Sequence, residues 1–167
     1  LYNTLIYSTL PDFRQNEIAI TNTSNLNLWS SAYNTIYQCN AILEGISASE
    51  SLTENTKRQL EGEARFVRAF SYFYLVNLFG DVPVVTSTDY DINALIPRSP
   101  SSDIYEFIIE DLNVSRTLLD NTYRNSERTH PNALAATTLL SRVYLYLEDW
   151  EQAEDLSTEV IDVTGNY

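Results

Sequence analysis

Gly62-Glu63-Ala64-Arg65-Phe66-Val67-Arg68-Ala69-Phe70-Ser71-Tyr72-Phe73-Tyr74-Leu75-Val76-Asn77-Leu78-Phe79-Gly80-Asp81-Val82-Pro83 carries a long aromatic-rich run that ends abruptly in a turn. From Phe66 to Leu78 it is apolar on nearly every side of a 3.6-residue repeat, as a helix buried among other helices must be. Gly80 supplies a residue able to end the helix, and Pro83 keeps it from resuming. Upstream the same helix is polar, with Glu54, Lys57, Arg58, Glu61 and Glu63. Over residues 53–79 it would be roughly 40 Å long.

The flanks read the same way. Leu26, Trp29, Tyr33, Ile36, Tyr37, Asn40 and Leu43 fall at steps of three and four, one face of a helix over 24–44. Gly45 is expected to close it. After Pro83, residues 82–100 form the longest stretch without helical pattern, and loops of that length are often functional or disordered. A third helix starts at Ser99 with Pro100 in its first turn, and Ile104, Phe107, Ile108, Leu112, Ser115 and Leu119 form its stripe. A fourth runs from 129–131 to about 147. A fifth opens on Asp149-Trp150-Glu151-Gln152, with Asp149 and Gln152 spaced as a capping pair, and runs to about 163. The four glycines and five prolines sit between these segments as punctuation, and no strand-rich region appears. The expected class is all-α: antiparallel helix pairs with one long irregular loop between helices.

The last pair carries a repeat-like pattern. Leu140 and Tyr144 are four apart, and Ala153 lies nine further on across a turn of Glu148, Asp149 and Trp150. The spacing resembles the tetratricopeptide repeat. There the small Ala153 would let the helices approach, and Tyr144 and Trp150 would fill the angle between them. Ser141 stands where that pattern has glycine, and a generic antiparallel pair is the other reading.

Composition excludes several roles. The chain of 167 residues has the length of one domain, and its 44% apolar and 20% charged content is that of a globular protein. Its 23 acidic and 10 basic residues give a net charge of −13. Such a surface repels phosphate, which argues against nucleic acid and against polybasic docking on anionic lipid. Cys39 is the only cysteine, so no internal disulfide is possible, and it falls on an apolar helix as a small hydrophobe. His130 is the only histidine, beside Pro131 at a helix start, and reads as a surface or capping residue. No zinc-type cluster and no glycine-rich phosphate loop occur. Asp89, Asp91 and Asn93 alternate as in a calcium loop but lack the following glycine and glutamate. Glu61/Arg65 and Glu151/Asp155 read as solvated faces. No catalytic residue, metal or cofactor is expected. The chain contains no methionine and starts at Leu1, and is expected to be a piece of a longer protein.

The stretch from Gly62 to Pro83 resembles the hallmark of the SusD/RagB family of Bacteroidetes outer-membrane nutrient-binding lipoproteins. Trp29-x-x-x-Tyr33-x-x-Ile36 through Asn40-Ala41-Ile42-Leu43 resembles that family's preceding helix. Pro97-Arg98, then Ile104-Tyr105 through Asp111-Leu112, resembles the next one. Arg128-Thr129, Ala135-Ala136, Arg142 to Tyr146, Asp149-Trp150 and Ala153 follow in order. The resemblance implies a SusD-like, tetratricopeptide-like N-terminal α-helical domain over 1–167. It implies a lipid anchor upstream, a TonB-dependent (SusC-like) transporter as partner, and an oligosaccharide or peptide ligand. Arg65 and Arg68, near Glu61 and Glu63, are expected to be held by carboxylates, and the hallmark aromatics to be core.

Ligand capture on such a scaffold calls for aromatic faces and planar polar groups on loops. Two regions offer them: 12–29, with Arg14, Asn16, Asn22, Asn25 and Asn27 before Trp29, and 86–93, with Asp89, Tyr90 and Asp91. The first is preferred, with Arg14, Trp29 and Asn34 as candidate ligand-binding residues. Trp29 also has the helical spacing of a core residue. The expected function is a non-catalytic surface binder of a nutrient, an oligosaccharide foremost. The alternative is a tetratricopeptide-type protein-interaction scaffold, and a glycan-active enzyme would need carboxylates elsewhere.

Overall fold

The computed structural model describes residues 10–163. Seven helices follow one another: α1 (Leu10–Gln15), α2 (Thr23–Ala48), α3 (Glu54–Phe79), α4 (Tyr90–Asn93), α5 (Ser101–Leu118), α6 (Ala133–Tyr146) and α7 (Trp150–Val163). The described residues contain no strand, and one antiparallel bridge pairs Val82 with Ser99. α2 packs on α3, α3 on α5, α5 on α6 and α6 on α7. Each long helix thus lies chiefly against its neighbours in the chain, the arrangement of stacked helical repeats. The core runs through these contacts, with Ile36, Tyr72, Leu75, Ile108, Leu112 and Leu140 at its centre.

The helix starts are written locally. Asn22, Thr53 and Asn132 each accept the backbone N–H three residues on, and Asp149 does the same for Gln152. Pro100 before α5 has no such side chain. Asp81 takes its place from the far end of the loop, accepting both the Ser101 N–H (2.8 Å) and its hydroxyl (2.7 Å). At the end of α3, Gly80 sits at φ 67° and ψ −130°, a combination essentially closed to other residues. Glu148, just past α6, also has positive φ (60°). Its successor Asp149 donates to the Tyr144 carbonyl (3.0 Å), closing the turn into α7.

Several expectations change. Gly45 does not end α2, which continues to Ala48 because the next residue, Ile46, is buried; Ser49 then closes the helix on the Ile46 carbonyl. The region 12–29 is not one loop: α1 and the first turns of α2 occupy most of it. Trp150 does not fill the angle between α6 and α7 but is 61% exposed. Ala153 is buried as expected, and Ser141 takes a polar role there, donating to the Ala153 carbonyl (2.9 Å) and meeting the Ser157 hydroxyl (2.7 Å). α3 is not covered all round. Phe70, Tyr74 and Leu78, four apart, are 43%, 43% and 59% exposed on its outer side. The Asp89–Asn93 alternation is a helix cap, since Asp89 Oδ1 accepts the Asp91 and Ile92 N–H groups that open α4.

A buried polar network joins α2, α3, α5 and the 82–100 loop. Arg68 grips Asp111 of α5 with Nε (2.8 Å) and Nη2 (2.9 Å), and its Nη1 donates to Asn40 Oδ1 of α2 (2.7 Å). Arg65 adds a bond to Asp111 (2.9 Å) and one to Glu61 (2.9 Å). Burial works against the Arg65 charge, but Glu61 and Asp111 outweigh it and raise its pKa. The Asn40 amide turns outward to the Val85 (3.0 Å) and Ser87 (3.4 Å) carbonyls. Tyr72 exchanges hydrogen bonds with Val85, and burial pushes its phenol up to about 12. The long loop is therefore an ordered strap. Further along it is held by Glu44, whose carboxylate accepts the Thr88 N–H (2.8 Å) and hydroxyl.

Candidate functional site

An open groove lies between α1 and the first turns of α2, with a volume of about 470 Å³. Phe13 of α1 and Leu28 of α2, 37% and 49% exposed, give it apolar walls. Ser24, Asn27 and Ser31 give it hydroxyl and amide groups. The two helices are tied by Asn22, which donates to Asp12 Oδ2 (2.9 Å) while capping α2. Ser24, Asn27, Ser31 and Asn34 recur at steps of three and four, so they share one side of α2. Asn34 continues the groove's polar edge by one turn and is exposed. Arg14 is exposed on α1 beside Phe13.

Trp29 stands apart from this pair. It lies on the opposite side of α2 with Tyr33 and Ile36, and three neighbours occupy its ring. Tyr33 is 4.9 Å away and tilted, Phe79 meets it edge-on at 5.1 Å, and the Arg98 guanidinium lies 5.4 Å from its centroid. Arg98 is itself anchored on the Asp81 carbonyl, and Tyr33 donates to the Pro83 carbonyl (2.7 Å). Burial, with the Tyr72 phenol adding to it, pushes the Tyr33 hydroxyl well above its ordinary pKa, so it acts as a donor throughout the usual range. The ring ties the strap and the end of α3 to α2. Of the three candidates none lines the groove itself: Asn34 continues its polar side of α2, Arg14 is exposed on α1, and Trp29 packs against the core. The groove residues Phe13, Ser24, Leu28 and Ser31 were not singled out from sequence. The recurrence of Ser24, Asn27, Ser31 and Asn34 opposite the Trp29 stripe was the signal available.

The second region, 86–93, is held by its own contacts: Thr88 by Glu44, and Asn93 by the Ser87 carbonyl (2.7 Å). Tyr90 is 80% exposed there. No group of three or more His, Cys, Asp or Glu side chains placed to hold a metal ion occurs among the described residues. No described helix is long and apolar enough to cross a membrane.

The fold defines a class, all-helical proteins built of tetratricopeptide-like helix pairs. The chain belongs to the SusD-like family, whose profile, described as starch-binding and associating with the outer membrane, matches residues 5–145. A SusD-like protein of Formosa agariphila is 31% identical over 141 residues, covering 83% of this chain and 27% of the relative. A crystal structure of a SusD-like protein from Bacteroides fragilis superposes with a TM-score of 0.82 at 29% identity, covering 91% of this chain and 30% of that one. A laminarin-binding SusD-like protein gives 0.75 at 28% identity, with 80% and 29% covered. The chain spans less than a third of the length of the curated relatives it matches.

Proposed function

We propose that this chain is the helical part of a surface glycan-binding protein without catalytic activity, which hands oligosaccharide to a TonB-dependent, SusC-like transporter in the outer membrane. In this reading a lipid anchor outside the sequence holds the protein at the cell surface. The observation that carries it is the α1–α2 groove in a chain of the SusD-like family. Phe13 and Leu28 offer apolar surface to the C–H faces of a sugar, and Ser24, Asn27, Ser31 and Asn34 offer donors and acceptors to its hydroxyls. Arg14 adds planar donors from α1. Trp29, on the other side of α2, acts on the groove through the packing that holds α2 to the end of α3. The family's starch-binding description and the laminarin-binding relative support a neutral glucan as ligand.

Calorimetric titration with malto- and laminari-oligosaccharides tests this. Asn34→Ala and Arg14→Ala should weaken binding with the melting temperature unchanged, whereas Trp29→Ala should lower both. Absence of saturable binding to every glucan tried would sink the proposal. Co-purification with a barrel protein, and acyl labelling of the protein in cells, test the partner and the anchor. A second reading, a peptide-gripping scaffold, has one observation behind it: the exposed Phe70, Tyr74 and Leu78 side of α3. Saturable peptide binding abolished by Phe70→Ser, with no glycan binding, would favour it.

A further inference from the structure

We infer that the chain carries a second carbohydrate-contacting site, on the segment 119–132 where it crosses the first half of α3. The choice of ligand class rests on the glycan-binding reading above; the location does not. Trp29 and the α1–α2 groove lie near the end of α3, since Trp29 meets Phe79. The second site lies along the first half of that 26-residue helix, with roughly 18 Å of its second half between them.

Two hollows share Pro131 as a wall. The first, about 300 Å³, has Leu60, Leu119 and Pro131 as apolar surface. Its polar groups are the amides of Asn55 and Gln59, the Asp120 carboxylate, the Thr122 hydroxyl and the Arg124 guanidinium. The second, about 390 Å³, is more apolar and is lined by Phe66, Leu134 and the Tyr123 ring. Apolar surface beside amides, carboxylate and guanidinium is the chemistry that recognises a pyranose, whose C–H faces pack while its hydroxyls bridge donors and acceptors. An aromatic one residue away from the polar set places a stacking surface for the next ring. A net charge of −13, with Asp120 in the wall, works against an anionic ligand.

The site is pre-organised although no helix covers it. Glu63 is the anchor: its carboxylate accepts Gln59 Nε2 (2.7 Å) and Arg124 Nη1 (3.1 Å), and His130 Nδ1 lies at 3.3 Å. The Asp120 carbonyl accepts the Ala133 N–H (2.9 Å), and Asn132 Nδ2 reaches the Asn121 carbonyl (3.2 Å). Asp120 Oδ1 accepts the Thr122 N–H (2.9 Å) and hydroxyl, which holds its carboxyl below the usual range and so ionised. Arg128 adopts φ 55°, a conformation non-glycine residues enter at a cost, and its guanidinium lies 4.5 Å from the Tyr123 centroid. The ring is thereby held with 42% of its surface exposed. Asn55 is exposed at the wall of the first hollow, where a ligand can reach its amide.

The test is a titration of the 167-residue chain with maltohexaose and laminarihexaose, followed residue by residue through backbone amide NMR shifts. Saturable shifts are expected at Asn55, Gln59, Thr122 and Tyr123. Tyr123→Ala and Asn55→Ala, both surface changes, should each weaken that response about threefold to tenfold. Asn34→Ala should leave it unchanged. Shifts confined to the Ser24, Asn27 and Ser31 side, or parental affinity in both variants, would overturn the second site while leaving the proposed function standing. No saturable shift anywhere with either sugar would overturn both. A response at Tyr123 to a decapeptide but to neither sugar would overturn the ligand class.

Discussion

Asp111→Asn would leave two guanidinium groups facing a neutral amide inside the bundle. Asp111 is fully buried and accepts three charge-assisted hydrogen bonds, from Arg68 Nε and Nη2 and from Arg65 Nη1. Asparagine keeps one acceptor, replaces the other with an N–H that opposes a donor, and removes the charge that offsets Arg68. The Arg68 side chain is 6% exposed and cannot turn to water. Breaking such a pair by removing one partner costs about 3–5 kcal/mol. For a chain of this size that is a fall in melting temperature of roughly 6–20 °C. Thermal and urea unfolding followed by circular dichroism reads it directly. Because the pair is buried, 0.5 M salt should leave the loss nearly unchanged. The double variant Arg68→Met/Asp111→Leu should recover much of it, since two apolar side chains remove the stranded charge. A loss below about 1 kcal/mol for Asp111→Asn, or a double variant as unstable as the sum of its singles, would refute the claim that this pair holds α3 to α5.

Two left-handed positions make opposite predictions. Glu148→Gly should stabilise the chain by about 0.5–1 kcal/mol, because it relieves positive φ at an exposed residue that closes α6. Gly80→Ala should destabilise it by about 1–3 kcal/mol, since φ 67° with ψ −130° excludes a side chain although nothing crowds the site; chemical denaturation checks both. Cys39 is buried, and burial pushes its thiol up to about 11. At pH 8 a thiol reagent should therefore label it only after denaturant is added, and rapid labelling of the folded chain would contradict its place in the core. Glu44 is held below its ordinary 4.5 by the Thr88 hydroxyl and N–H, so its contribution is present above that pH and is lost as pH falls through the lowered value. Glu44→Gln should flatten the acid side of the stability curve, measured as melting temperature between pH 6 and pH 3.

The helices were legible because their signals are local. Spacing of Trp29, Tyr33, Ile36 and Asn40 marks α2, and Thr53 and Gly80 punctuate α3 as their side-chain and backbone chemistry requires. Family membership was legible for a related reason: the run from Gly62 to Pro83 combines its two arginines, its aromatics and its exit turn in one continuous segment. What misled were residues whose role depends on distant partners. Gly45 reads as a stop until Ile46 is seen to reach the core. The Asp89–Asn93 alternation, too incomplete for a calcium loop, has no reading until α4 claims its first carboxylate.

By itself the sequence determined the all-helical class, the main helix boundaries to within a few residues, and the resemblance to the SusD-like family. Each of these depends on neighbours one or two turns apart. Packing of α3 on α5 was needed to show that Asp111, forty-three residues from Arg68, is its partner. The tertiary structure also turned the long loop into a strap, tied at Asn40, Tyr72 and Glu44. And it set Trp29 against α3: Trp29 and Asn34 lie five residues apart on one helix, but the side of a helix facing a groove is set by what packs on the other side, which no local pattern contains.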